Sequence, residues 1–410
     1  YEMTSSLVGS EMCIRDSEKG ETEPEYSAGD TVKITKATQF YAVRRKSNYY
    51  TVSYYLGNGS TNAAYQKLTQ TVEEGTVVIF AKVPARTGYV NQGWSSKKNS
   101  EKATAKAKCT VNKNITLYAV QKKAVQLTFH RCDGSTWQKT TLAKGSSYSL
   151  PGVRDAEGYT FMGWSTKPMQ SVSPQYEAEE KITVNGNVDL YAVVFNRTTE
   201  TDLTEDQLPQ VDIYKYKQVI FVGDSRTEFM ENVLTGMGES ATKNVKFVCS
   251  AGKGLDWFTT TGWAQLYSIV QHDSNSILSK KTAVIFNFGV NDLSKSADYA
   301  EYYNWIAPQL KSKGCELYFM SVNPVNRLML PNAGRADRSE AAVRSFNQYM
   351  KANLSSAYTY IDMYSYLKST GYSFASDHYG TGTVDDGLHY TTRTYKRIFA
   401  KCMDSLRVPA

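Results

Sequence analysis

Two different spacings of hydrophobic residues divide the chain. At 51–55 (Thr-Val-Ser-Tyr-Tyr) and 125–129 (Val-Gln-Leu-Thr-Phe) apolar and polar residues alternate with a period of two. Their apolar positions are β-branched or aromatic, so both stretches predict half-buried strands. Each precedes a turn ending in Gly-Ser-Thr, at 59–61 and 134–136, where glycine lets the chain reverse. Beyond residue 215 the texture changes. Short apolar runs at 218–222, 245–250, 282–288, 316–322 and 358–361 predict buried strands, and amphipathic stretches such as 297–313 and 337–354 predict helices between them. That alternation predicts a three-layer α/β/α domain with a five-stranded parallel sheet covered on both faces. Residues 197–210 are polar and aperiodic, which predicts a linker.

The N-terminal half is also self-similar. Gly88-Tyr-Val-Asn-Gln-Gly-Trp-Ser95 returns as Gly158-Tyr-Thr-Phe-Met-Gly-Trp-Ser165, and Cys109-Thr-Val-Asn-Lys-Asn-Ile-Thr-Leu-Tyr-Ala-Val120 returns as Ile182-Thr-Val-Asn-Gly-Asn-Val-Asp-Leu-Tyr-Ala-Val193. Thr31 to Val43 repeats that ending a third time. Trp94 and Trp164 hold equivalent places, as a core residue of each copy or, alternatively, as a sugar-stacking platform. An opening strand, GY-x-x-x-GW-S and a closing N-x-x-LYAV resemble the B-repeats of internalin-like surface proteins, the Listeria-Bacteroides repeat type. The resemblance implies β-grasp-like modules, mainly β, that act as spacers or adhesive stalks on extracellular proteins. The expected layout is a repeat remnant at 18–48, repeats at 49–123 and 124–196, a linker at 197–214 and the α/β domain at 215–410. Residues 1–17 stand apart. LVGSEMCIRDS at 7–17, in the stretch 6–17, resembles the translated product of a transposon-type sequencing-library adapter and is excluded from fold reasoning. On that reading the true N-terminus is missing, and the chain is silent about a signal peptide.

Apolar residues make up 41% of the chain and charged residues 21%, values that suit several folded domains rather than a disordered chain. The net charge of +7 is concentrated: positions 51–125 carry eleven Lys and Arg against three Glu, a surplus of eight. This basic repeat is either a solvated face or a surface for an anionic cell-wall polymer. No nucleic-acid motif accompanies it, so a nucleic-acid partner is not expected. Six scattered cysteines form no CxxC pair and sit near no His at zinc spacing, which predicts neither a disulfide scaffold nor a structural metal. No run of eighteen apolar residues predicts a transmembrane helix.

Three short sequences fall at predicted strand ends, where parallel α/β sheets gather functional groups. Gly223-Asp224-Ser225-Arg226 follows the first strand, and its glycine allows a tight turn that lifts the serine. By itself it equally describes a helix cap. Gly289-Val-Asn291-Asp292 follows the third strand and supplies an amide able to donate to an oxyanion; its plainer reading is a turn. Asp386-Gly-Leu-His389 places a carboxylate three residues before an imidazole, close enough to accept the Nδ1 proton, though a lone DxxH is usually a surface loop. Residues 251–254, Ala-Gly-Lys-Gly, lack the spacing of a phosphate-binding loop, so no nucleotide cofactor is expected.

In this order the three blocks resemble the SGNH/GDSL hydrolases over the whole C-terminal domain. The resemblance implies Ser225 as nucleophile, His389 as base, Asp386 as its orienting partner and Asn291 as an oxyanion donor. It also implies a glycine N–H after the second strand, for which Gly252 and Gly254 compete and spacing favours Gly254. The family's Asn in that block is not evident, since Cys249 and Ser250 stand there, and the nucleophile block reads GDSR. Arg226 and His378 are candidate substrate contacts. The function implied is a secreted or surface-displayed, cofactor-free carboxyl esterase, with O-acetyl groups on polysaccharide as substrate. Two alternatives use the same chain: an adhesin or scaffold with a silent SGNH-like domain, and a lipase or thioesterase.

Overall fold

A computed structural model describes residues 13–16, 26, 30–37, 39–43, 47–212, 215–271, 281–376 and 385–406. The adapter-like segment and the repeat remnant fall partly outside these; within them, Cys13–Asp16 pairs antiparallel with Phe40–Val43. The chain divides into two compact units, 1–124 and 125–410.

The two full repeats solve the same packing problem in the same way. In the first, Tyr89–Ser95 runs antiparallel to Ile115–His130, with a register shift between Asn91 and Gly93. In the second, Tyr159–Ser165 runs antiparallel to Val188–Asn196, with the shift between Phe161 and Gly163. Both bulges need a glycine at positive φ, +124° at Gly93 and +143° at Gly163. The bulge turns the following tryptophan inward. Trp94 donates its indole N–H to Ala81 O at 2.6 Å, and Trp164 donates to Pro151 O at 2.8 Å. Both rings lie in the core of their repeat, so they are packing residues and not sugar platforms. The asparagine before each closing strand is equally fixed: Asn114 and Asn187 accept from the opening-strand amides of Thr51 and Gln126, each at 2.8 Å.

The C-terminal domain has five parallel strands: β1 (Tyr216–Gly223), β2 (Val245–Cys249), β3 (Lys281–Asn287), β4 (Cys315–Met320) and β5 (Tyr358–Ile361), in the order β2-β1-β3-β4-β5. Alternate side chains go to opposite faces. Ile220, Val222, Val284 and Phe286 pack on helices α2 (Trp263–Gln271), α3 (Ser296–Ser312) and α4 (Glu340–Asn353). Val219, Phe221, Ala283 and Ile285 pack on α1 (Ser225–Met237), α5 (Met363–Thr370) and α6 (Thr392–Ser405). Burial on both faces explains why the central strands read as unbroken apolar runs. A hairpin of β6 (Phe374–Ser376) and β7 (Asp385–Tyr390) leads into α6, whose N-cap is Thr391.

The predicted linker is not a free tether. Glu200 is buried and accepts hydrogen bonds from Ser373, Thr394 and Arg397, while Leu208 and Val211 enter the core beneath α1 and α6. Three residues of the second repeat, Met162, Val193 and Phe195, belong to that same core. Sparse apolar positions hid this role: two inserted side chains and one buried carboxylate leave no periodic pattern.

Candidate active site

The site is assembled at the carboxyl ends of the strands. β1 ends at Gly223, and Asp224 caps α1 by accepting the Arg226 N–H at 3.0 Å. This tight strand-to-helix turn has no room for a side chain at its first residue: a Cβ on Gly223 would lie 2.7 Å from Asn287 O and closer still to Thr227 Oγ1. Ser225 is therefore the first residue of α1. Its Oγ stands 2.9 Å from His389 Nε2, and His389 Nδ1 stands 2.5 Å from Asp386 Oδ2. The other Asp386 oxygen accepts the backbone N–H groups of Leu388 and His389, both at 2.8 Å. All three side chains are at most 5% exposed. Phe229, one helical turn after Ser225, sets its ring edge-on to the imidazole with centroids 4.5 Å apart.

Opposing influences set the charges. Burial lowers the His389 pKa below its ordinary value and outweighs the Asp386 carboxylate, which raises it. Burial would raise the Asp386 pKa, but hydrogen bonds from the His389 ring and the two amides prevail and hold it below the usual carboxylate value. A neutral imidazole beside an ionised carboxylate is the resting combination, with the Nδ1 proton on the carboxylate side and a lone pair on Nε2 toward the serine.

Asn291 Nδ2 donates to Lys253 O at 2.8 Å. In a trans peptide the carbonyl and the next N–H point opposite ways, so the Gly254 N–H faces away from Asn291's hold. A Cβ on Gly254 would fall 2.3 Å from Asp292 Oδ2, whereas one on Gly252 would meet nothing. Asp292 itself accepts from Leu255 N and from the Tyr299 hydroxyl.

Of the two candidate substrate contacts, Arg226 has a different place. Its guanidinium is 3% exposed and donates to Leu388 O, Asn323 O and Pro324 O at 2.9–3.0 Å. It ties the serine helix to the histidine loop and offers no open face to a substrate, because one planar cation satisfies three buried carbonyls there. His378 lies outside the described residues. Sequence reasoning missed Arg335, Arg338 and Glu228. Arg335 approaches Asp386 at 3.3 Å, and Arg338 donates to Val290 O and to Asn291 Oδ1. Glu228 accepts the Ala251 N–H at 2.6 Å and steadies the loop in which no Asn is evident. The only signal was a pair of arginines just before α4.

Residues 219–402 match the GDSL-like Lipase/Acylhydrolase family, and residues 50–120 and 126–193 match the Listeria-Bacteroides repeat domain. The C-terminal domain is an SGNH/GDSL-type ester hydrolase. Among solved structures, this hydrolase domain is similar to an acetyl xylan esterase (10% identity, TM-score 0.32, 46% of this chain and 100% of that one). It is also similar to the catalytic domain of the peptidoglycan O-acetyltransferase A of Streptococcus pneumoniae (15% identity, TM-score 0.28, 47% and 92%). A protein of Evansella cellulosilytica named as a Gly-rich membrane protein is 26% identical over 169 residues, 41% of this chain. The chain covers only 18% of that relative's length. Among the described residues no helix is long and apolar enough to cross a membrane, and no His, Cys, Asp and Glu cluster could hold a metal.

Proposed function

We propose that the hydrolase domain is a serine esterase in which Ser225 attacks the ester carbonyl, His389 takes its proton and Asp386 orients the imidazole. The continuous relay from Ser225 Oγ to His389 Nε2 at 2.9 Å, and from His389 Nδ1 to Asp386 at 2.5 Å, carries this reading. As Oγ adds to the carbonyl carbon, its proton passes to Nε2 and the carbonyl oxygen becomes an anion. The N–H of Ser225 and the second Nδ2 hydrogen of Asn291 receive that anion; the first Nδ2 hydrogen is held by Lys253 O, and the Gly254 N–H, which faces away from Asn291, takes no part. Collapse returns the proton to the leaving alcohol, and water then repeats the sequence on the acyl-enzyme with the same base. The substrates are O-acetyl groups on extracellular polysaccharide, and the protein acts secreted or at the cell surface. Support for this finer reading comes from the repeats, which resemble modules of surface proteins.

Ser225→Ala is expected to lower turnover of a chromogenic acetyl ester by roughly three orders of magnitude or more. A variant with full activity would refute the nucleophile. Acetylated glycans assayed beside long-chain acyl esters test the substrate class, and preference for the long chains sinks the O-acetyl reading. A wild-type protein inactive on every ester at every pH leaves the scaffold reading instead.

A further inference from the structure

The residues that steady the catalytic loop do not all come from the hydrolase domain. Asp155 belongs to the second repeat, and Arg197 follows that repeat's last strand directly. The Asp155 carboxylate is fully buried. One oxygen accepts Phe161 N–H at 2.9 Å and Asn326 Nδ2 at 2.8 Å, and the other accepts Arg197 Nη2 at 2.8 Å. Arg197 uses all three sides of its fork: Nε donates to Thr160 Oγ1 at 2.9 Å, and Nη1 pairs with Asp385 Oδ2 at 2.6 Å. Asp385 is the neighbour of Asp386. On the other side, the Asn326 backbone N–H donates to Gly387 O at 2.8 Å. Gly387, at φ +66°, packs so closely that a Cβ would fall 2.4 Å from Asn326 O. The segment between the two carboxylates and the imidazole is therefore gripped from both sides by groups anchored on one repeat carboxylate.

We propose that Asp155 and Arg197 are positioning residues for the esterase: through Asn326 and Asp385 they fix the loop that presents Asp386 and His389 to Ser225. The inference rests on the esterase reading above. It makes the second repeat a working part of the active site rather than a spacer. The physical basis is geometric: a relay of two short hydrogen bonds tolerates little displacement, and a loop shift of an ångström costs orders of magnitude in rate. A side chain that only stabilised the fold would lower the folded fraction, leaving the folded molecules' kcat and pH profile unchanged.

The test uses the full chain and p-nitrophenyl acetate, with folding checked by circular dichroism. Asp155→Ala and Arg197→Ala are expected to lower kcat at least about tenfold, to leave KM within about twofold and to displace the acid limb of the pH profile. Asp155→Asn, which keeps an acceptor for Asn326 and Phe161 but turns an amide donor toward Arg197 Nη2, should recover only part of the loss. Folded alanine variants with wild-type kcat and pH profile overturn the proposal. If the alanine variants do not fold, Arg197→Lys decides. A single ammonium cannot span Asp155, Thr160 and Asp385, so kcat should fall severalfold, and an unchanged kcat overturns the proposal. Ser225→Ala run alongside separates the two levels. If it stays active, the esterase reading falls. If it is dead while the repeat variants match wild type, only the positioning role falls.

Discussion

His389 shows how one side chain's surroundings set a working pH. Burial and the Asp386 carboxylate pull its proton affinity in opposite directions, and burial prevails. In its proposed role as general base His389 must be neutral, and lowering its pKa then extends activity to more acidic solution. The acid limb of kcat/KM in the free enzyme should therefore have its midpoint below about 6.5, the ordinary imidazole value. A pH profile on an acetyl ester measures this directly, and a midpoint above 7 would contradict the burial argument. Arg226 makes the complementary point. It was a candidate substrate contact, yet each of its three nitrogens donates to a buried carbonyl.

Elements differ in how far their residues announce them. β1, β3 and β4 are buried on both faces and read as apolar runs, so their positions were legible from hydrophobicity alone. The serine turn was legible too, because Gly-Asp-Ser puts a residue without a side chain, a helix cap and the proposed nucleophile in succession at a strand-to-helix turn. β7 is different. Its Gly387 adopts φ +66° against Asn326 and Met329, residues 61 and 58 positions earlier in sequence. Gly387→Ala is expected to destabilise the protein by at least about 1 kcal/mol from the left-handed backbone alone, with a further loss from the clash. Thermal unfolding beside an activity assay measures both, and an unchanged midpoint with full activity would show that the loop has room to relax.

In the whole molecule, the second repeat and the hydrolase domain share a core through Met162, Val193 and Phe195, and a buried charge cluster through Lys368, Glu177 and Glu340. Cutting between them would expose apolar surface and take Glu177 away from Lys368, leaving it Glu340 alone as carboxylate partner in this cluster. A fragment spanning 125–410 is therefore expected to unfold in a single transition, with equal calorimetric and van't Hoff enthalpies. Two separate transitions would mean that the shared core contributes little.

Local order along the chain determined the repeats, the strand succession and the choice of Ser225, His389 and Asp386 as candidates, because periodicity and short motifs need only neighbouring residues. The tertiary structure alone decided that the second repeat is fused to the hydrolase domain, that the polar stretch after it is packed, and that Arg226 is structural while Arg335, Arg338 and Glu228 reach the site. Those outcomes depend on single contacts between distant residues, and a single contact leaves no period to read.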